Sequence, residues 1–191
     1  MSEAEPRNGV MLYYYSGTGN SLWIARNLAQ LLSTPEPVSM NTLKEGDVVC
    51  VSASVGLVFP VHIWGVPFPV MDFLNRCRIH PSTYVFAVAV NAGQVSETLV
   101  QLKRLLEIRK LSLSSGFSID MPSNYIPWGG ANPVEKQQRK FAAALDKCRM
   151  ISEIVRQGRV CRPEKGMYIQ NKLFSLIYRK TLSSVVKMDK S

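Results

Sequence analysis

A short loop rich in hydroxyl and amide side chains separates an apolar run from a helical pattern near the start of the chain. Its residues are Ser16-Gly17-Thr18-Gly19-Asn20-Ser21. Apolar residues at helical spacing begin at Leu22, so the loop occupies the N-terminus of a predicted helix. Free backbone N–H groups and the positive end of the helix dipole favour an anion there, and glycine lets the backbone approach a ligand closely. The loop therefore predicts a neutral binding site for a phosphate group.

Two other phosphate-binding loops are excluded by single features of this segment. A P-loop ends in Gly-Lys-Ser or Gly-Lys-Thr, and residues 16–21 contain no lysine. The dinucleotide fingerprint requires a third glycine three residues after the second, and that position is Leu22. One alternative remains open, in which the same side chains only cap an ordinary strand-to-helix turn.

The loop resembles the phosphate loop of the flavodoxins, Ser/Thr-x-Thr-Gly-Asn-Thr/Ser, which binds the terminal phosphate of FMN with hydroxyls and amides. The match covers six positions, with an apolar strand before them and a helix after them. The resemblance implies that FMN is the cofactor. It also implies that the phosphate is held by Ser16, Gly17, Thr18, Gly19, Asn20 and Ser21.

Two further loops follow apolar strands and could contact the rest of the cofactor. Their candidate residues are Pro60, Val61, His62, Ile63, Trp64 and Gly65 in one loop and Asn91, Ala92 and Gly93 in the other. Trp64 could stack on the flavin ring or fill a gap between loop and sheet. His62 could place a cation beside the reduced flavin, although a His in contact with solvent is the simpler interpretation. Residues 91–93 could offer backbone amides to the ring edge or merely form a turn.

Apolar strands alternate with helices along the chain, which favours a parallel sheet covered on both faces. The predicted strands are 10–15, 35–40, 48–60, 83–90 and 111–121, and the predicted helices are 22–32, 68–78, 96–110, 133–158 and 167–187. Asn132 is the expected cap of the long fourth helix, with Pro133 and Val134 inside it. The fold class is a three-layer, doubly wound α/β fold with five strands. The strand order 2-1-3-4-5 is what the flavodoxin-like resemblance implies.

Several longer phrases are similar to one branch of flavodoxin-like proteins from anaerobes, in which a flavodoxin domain is fused to a ferredoxin with two four-iron clusters. They are Gly56-Leu57-Val58-Phe59-Pro60-Val61, Trp64-Gly65-Val66-Pro67 and Met121-Pro122-Ser123-Asn124-Tyr125. The chain ends at Ser191 without cluster ligands, so we expect a shortened chain or a form that lacks the ferredoxin. The loop after Val90 contains no aromatic residue, so a ring covered on both faces would need Tyr125 or Trp128.

Charge is distributed unevenly between the two ends of the chain. Residues 1–134 contain nine Lys or Arg and nine Asp or Glu, whereas residues 135–191 contain fourteen and five, which accounts for the whole net charge of +9. The four cysteines form no CxxC pair, which argues against a zinc or iron–sulfur site and fits a reducing cytoplasm. We expect an FMN domain over residues 1–158 and a basic amphipathic extension over residues 159–191.

The sequence is best interpreted as an FMN-binding, flavodoxin-like protein that acts in electron transfer, with an acidic redox protein such as a ferredoxin as its partner. An electron carrier is favoured over an FMN-dependent oxidoreductase, because no residue pattern indicates covalent or acid–base catalysis. The alternative is a docking module without cofactor, whose basic C-terminal part binds an acidic partner or a membrane surface. Packing of that part on its own domain is preferred to membrane binding. Nucleic acid is disfavoured because no recognition motif is visible, and the oligomeric state is left open.

Overall fold

The structure is a computed structural model that describes residues 7–43, 49–50, 52–123 and 133–166. Strands and helices alternate along these residues, as apolar runs and amphipathic repeats predict. The elements are β1 (Arg7–Tyr14), α1 (Asn20–Leu32), β2 (Val38–Ser39), β3 (Val49–Cys50), β4 (Ser52–Pro60), α2 (Phe68–Arg76), β5 (Arg78–Ile79), β6 (Tyr84–Asn91), α3 (Thr98–Ile108), β7 (Leu113–Asp120) and α4 (Val134–Arg156).

Five of the strands form one parallel sheet in the order β2-β1-β4-β6-β7. Counted along the chain, these are the second, first, third, fourth and fifth strands of the sheet. The predicted order 2-1-3-4-5 and the predicted three-layer α/β class are therefore confirmed. A second parallel sheet of only two short strands, β3 and β5, was not predicted. Residues 49–50 were expected in the strand 48–60, and Arg78 was expected in the helix 68–78, which ends at Arg76.

Each face of the sheet has its own hydrophobic core, because side chains of a strand point alternately to opposite faces. Leu57 packs with α2 and α3, whereas its neighbour Val58 packs with α1 and α4. Gly56 is required on the face that packs with α1 and α4, because a Cβ there would lie 2.4 Å from the Leu12 side chain and 2.5 Å from the Phe86 side chain. The two cores together fix the orientation of the strand ends that carry the candidate loops.

Helix α4 begins one residue later than predicted. Pro133 has an extended ψ of 145° and lies outside the helix, which starts at Val134; the predicted cap Asn132 falls outside the described residues. Val134 was expected to face the core but is 67% exposed. The physical reason is length: 23 helical residues span about 34 Å, so the first turns of α4 extend past the core.

The chain leaves α4 through Gly158, whose φ is 59°, and then lies along the outer edge of β7. We call residues Arg159–Gly166 the strap. The Cys161 N–H donates to Ser114 O and the Glu164 N–H donates to Gly116 O, both at 2.9 Å. This part of the predicted extension therefore packs on the sheet edge, while the predicted helix 167–187 lies outside the described residues. No helix in the described ranges combines the length and apolar character needed to cross a membrane.

Candidate functional site

The carboxyl ends of β1, β4, β6 and β7 meet around a cleft of about 590 Å³. All predicted site residues except Gly19, Gly65 and Gly93 line it: Ser16, Gly17, Thr18, Asn20, Ser21, Pro60, Val61, His62, Ile63, Trp64, Asn91 and Ala92. Among the described residues, the lining contains no Asp, Glu, Lys or Arg. Its volume lies within the range of about 300–1,000 Å³ that is usual for small-molecule and cofactor sites.

The first loop places the N-terminus of α1 at this cleft, without a side-chain cap. Gly19 is the N-cap of α1 with a φ of 99°, no side chain caps the helix, and its first turn contains no acidic residue. The first helical hydrogen bond runs from the Trp23 N–H to Gly19 O at 2.9 Å. The N–H groups before Trp23 in α1 therefore have no carbonyl partner within the helix, which is the arrangement that binds anions.

The hydroxyls of this loop are placed differently from one another. Ser16 Oγ accepts a hydrogen bond from the Gly19 N–H at 3.0 Å, which leaves its own proton for another acceptor. Ser21 is 1% exposed, and its Oγ has no hydrogen-bond partner within the described structure. A buried hydroxyl without a partner costs free energy, so an oxygen-rich ligand at this position would satisfy it.

The side chain of Asn20, which lines the cleft, also makes a contact within the protein. Its Nδ2 donates to Pro122 O at 3.0 Å and so ties the first loop to the chain that follows β7. One of its two side-chain protons is therefore engaged within the protein. The second proton of its side-chain amide is not used in this contact.

The second loop contains a tight hairpin turn with Ile63 and Trp64 at its tip. The N–H of His62 donates to Gly65 O at 3.1 Å, and the N–H of Gly65 donates to His62 O at 2.8 Å. Ile63 and Trp64 have φ of 43° and 62°, a left-handed conformation that glycine and asparagine usually provide in such turns. Here the two positions carry large apolar side chains that line the cleft, at a cost in backbone strain.

His62 stands at the rim, with its ring edge-on to Tyr15 at a centroid distance of 5.8 Å. Partial burial of the imidazole lowers the pKa of His62 below its ordinary value, although the residue as a whole stays exposed. The lowered pKa favours the neutral ring at pH 7 and therefore disfavours the alternative in which His62 places a cation beside the reduced flavin. Trp64 is half-buried, which is compatible with stacking on a flavin ring and with filling a gap between loop and sheet.

The third loop is held mainly by the side chain of Asn91. Its Nδ2 donates to Ser118 Oγ at 2.8 Å, and its Oδ1 accepts the Gly93 N–H at 3.0 Å. The Gly93 amide is therefore not free to bind a ligand, and Gly93 instead supplies a bend with a φ of 116°. Asn91 and Gly93 shape the wall of the cleft, and Ala92 is the exposed residue between them.

The structure adds lining residues that the sequence did not single out as site residues: Val90, Gln94, Pro122 and Ser123. Val90 and Gln94 flank the predicted segment 91–93, so a wider window would have included them. Pro122 and Ser123 follow β7 after one residue, Met121, and their place after the last predicted strand was the available signal. Asn124, Tyr125 and Trp128, considered as a cover for the cofactor, fall outside the described residues.

Comparisons with known proteins identify the fold. No protein-family model matches the sequence, and no curated protein matches it. A flavodoxin from Streptococcus pneumoniae TIGR4 has a TM-score of 0.52 at 12% identity, with 77% of this chain and 96% of the flavodoxin covered. An azoreductase from Bacillus anthracis has a TM-score of 0.50 at 7% identity, with coverage of 76% and 99%.

A third similar structure is a larger enzyme, the rubredoxin:oxygen oxidoreductase from Desulfovibrio gigas. Its TM-score is 0.53 at 13% identity, and the match covers 81% of this chain but only 38% of the oxidoreductase. At these identities the similarity concerns the fold and not the chemistry. Together with the strand order, it shows that the chain has the flavodoxin-like α/β fold.

Proposed function

We propose that the cleft binds FMN and that the protein acts in electron transfer. The observation that carries the proposal is the first loop: an uncapped helix N-terminus next to a buried Ser21 hydroxyl that has no described partner. A phosphate would accept from those N–H groups and from Ser21 and Ser16, without any cation. The known proteins of the same fold include a flavodoxin, which supports this choice among phosphate-bearing ligands.

The remainder of the cleft suits a flat, largely apolar ring system. Val61, Ile63 and Trp64 supply apolar surface on one side, and the loop at Asn91 and Ala92 forms another part of the wall. Bound FMN would supply the capacity to accept and donate electrons. The residues of the chain would hold its phosphate, orient its ring and exclude water from part of it.

Titration of the purified protein with FMN and with riboflavin tests the proposal. FMN fluorescence should be quenched at a stoichiometry of one, and riboflavin, which lacks the phosphate, should bind at least about tenfold more weakly because the charged hydrogen bonds are missing. FMN-loaded protein should then accept electrons from dithionite and return them to a soluble acceptor. If FMN fluorescence is unaffected by the protein, the proposed function is wrong and a module without cofactor is favoured.

Gly17→Ala separates ligand binding from folding. Gly17 lines the cleft, its φ is not in the left-handed region, and an added Cβ would meet no protein atom within 4 Å. The variant should therefore keep its melting temperature but lose about tenfold or more in FMN affinity, because the methyl group occupies space that the phosphate needs. Unchanged FMN affinity would contradict the assignment of this loop.

A further inference from the structure

The strap carries the chain from the amino end of β7 to the rim of the cleft. It runs in the direction of β7, with Cys161 beside Ser114 and Glu164 beside Gly116. Its last residue, Gly166, donates its N–H to Ser96 O at 3.0 Å. Ser96 is two residues from Gln94, a lining residue of the cleft, and two residues span at most about 7 Å. The end of the strap therefore lies at the mouth of the site.

The outer surface of the strap carries only positive charge. Arg159, Arg162 and Lys165 are exposed, and none of them forms an ion pair within the described residues. The single acid of the strap, Glu164, is turned inward. Its carboxylate accepts from Lys147 Nζ and from the Ser118 N–H, each at 2.8 Å.

The described lining of the cleft carries no such charge, since it contains no ionic side chain apart from the titratable His62. Cations at the rim of a site, outside its lining, can attract and orient a second macromolecule. A membrane surface would need an apolar face beside the cations. The strap exposes a single large apolar side chain, Val160, so an acidic protein fits its chemistry better.

We propose that the strap is a docking surface for an acidic redox protein and that it holds this partner at the mouth of the cleft. The proposal rests on the proposed FMN site, since a redox partner is useful only where a redox group is bound. Arg162 and Lys165 contribute most because they lie on the half of the strap nearer to the cleft. Their role is to orient the partner and to speed its association.

An acidic bacterial ferredoxin serves as the probe, with binding measured by calorimetry on the full chain, with and without FMN. The wild type should bind it at about 0.01 M ionic strength and lose most of the affinity at about 0.15 M, because the Debye length falls from about 30 Å to about 8 Å. The double variant Arg162→Glu, Lys165→Glu should bind about tenfold or more weakly at the lower ionic strength.

A matched double variant, Arg78→Glu, Lys110→Glu, controls for net charge. Both side chains are exposed, form no ion pair within the described part of the chain, and precede β6 and β7 at the opposite, amino end of the sheet. This variant should keep most of the wild-type affinity. Zero-length cross-linking of the wild-type complex should join Lys165 to a ferredoxin carboxylate, as mapped by mass spectrometry.

Three outcomes would overturn the proposal: no ferredoxin binding, equal losses in the two double variants, or tighter binding to anionic phosphatidylglycerol vesicles than to ferredoxin. FMN binding is measured in its own titration, so a failure of the FMN proposal can be distinguished from a failure of the docking proposal. A protein that binds FMN but not ferredoxin keeps its cofactor function and loses its docking surface. A protein that binds ferredoxin through the strap but ignores FMN keeps the docking surface alone.

Discussion

Ser21 is the residue at which the fold and the proposed FMN site are most directly coupled. Its hydroxyl is removed from water in the first turn of α1, yet it has no hydrogen-bond partner among the described residues. Such a group lowers the stability of the free protein by about 1–3 kcal/mol relative to a satisfied one. The same hydroxyl would stabilise a complex in which a phosphate oxygen accepts its proton.

Ser21→Ala should therefore have opposite effects on stability and on binding. We expect the free variant to be as stable as the wild type or more stable by up to about 1 kcal/mol, because the unsatisfied hydroxyl is gone. Its FMN affinity should fall about tenfold, the loss expected for one hydrogen bond to a charged group. Urea unfolding and FMN titration measure the two effects.

Ser152→Ala is the matched control. Ser152 is also a buried helical serine, but its Oγ donates to Arg149 O at 2.8 Å, and it lies in α4 away from the lining of the cleft. Its replacement should leave FMN affinity unchanged. The interpretation of Ser21 would fail if both variants lost FMN affinity equally, or if Ser21→Ala destabilised the free protein by several kcal/mol.

At the scale of an element, the hairpin between β4 and α2 combines strain with exposure. A left-handed conformation costs an L-residue about 1–2 kcal/mol, and both Ile63 and Trp64 adopt it. Ile63 is nevertheless 53% exposed, so the packing of its side chain recovers little of this cost. The turn is stabilised by the paired hydrogen bonds of His62 and Gly65 and holds two apolar side chains at the cleft.

Ile63→Asn should raise the stability of the free protein by about 1 kcal/mol. Asparagine tolerates the left-handed conformation and is favoured in two-residue hairpin turns. Ile108→Asn is the control, because Ile108 is 76% exposed but ends α3 without a positive φ; it should give no gain. Thermal unfolding of both variants decides the matter, and equal effects would mean that the strain at residue 63 is negligible.

At the scale of the whole molecule, the strap closes the free edge of the sheet and joins three elements. Tyr84 Oη donates to Arg159 O at 2.7 Å, while Glu164 connects Lys147 of α4 to the backbone of β7. An exposed edge strand invites pairing with another chain. The strap therefore protects β7 and at the same time fixes the position of its outward cations.

Glu164→Ala should lower the free energy of unfolding by about 1–2 kcal/mol, because a half-buried ammonium and a backbone N–H both lose their acceptor. The Ser118 amide should also exchange its hydrogen faster. Glu107→Ala removes a more exposed ion pair, to Lys103 at 3.7 Å, and should change stability by less than about 0.5 kcal/mol. Equal effects of the two changes would show that the strap is only loosely attached.

Periodicity of apolar residues was sufficient to predict the five sheet strands and four helices within a few residues, because each element buries its own stripe or face. Periodicity did not predict the exposure of Val134, because burial of a residue depends on what packs nearby. It also missed the sheet of β3 and β5, since strands of two residues have no readable period. Packing of the basic extension on its own domain was the preferred expectation, but a basic, Pro-containing segment does not indicate that the strap lies on the edge of β7.

The sequence by itself determined the neutral loop of Gly, Ser, Thr and Asn at residues 16–21 and the convergence of three loops at one sheet edge, because these follow from local residue types and from alternation. Only the tertiary structure decided which of those side chains remain available to a ligand. Asn20 bonds to Pro122, 102 residues away, and Asn91 bonds to Ser118, whereas Ser21 is left unsatisfied. Hydrogen bonds between distant segments depend on the packed fold and leave no pattern in the neighbouring sequence.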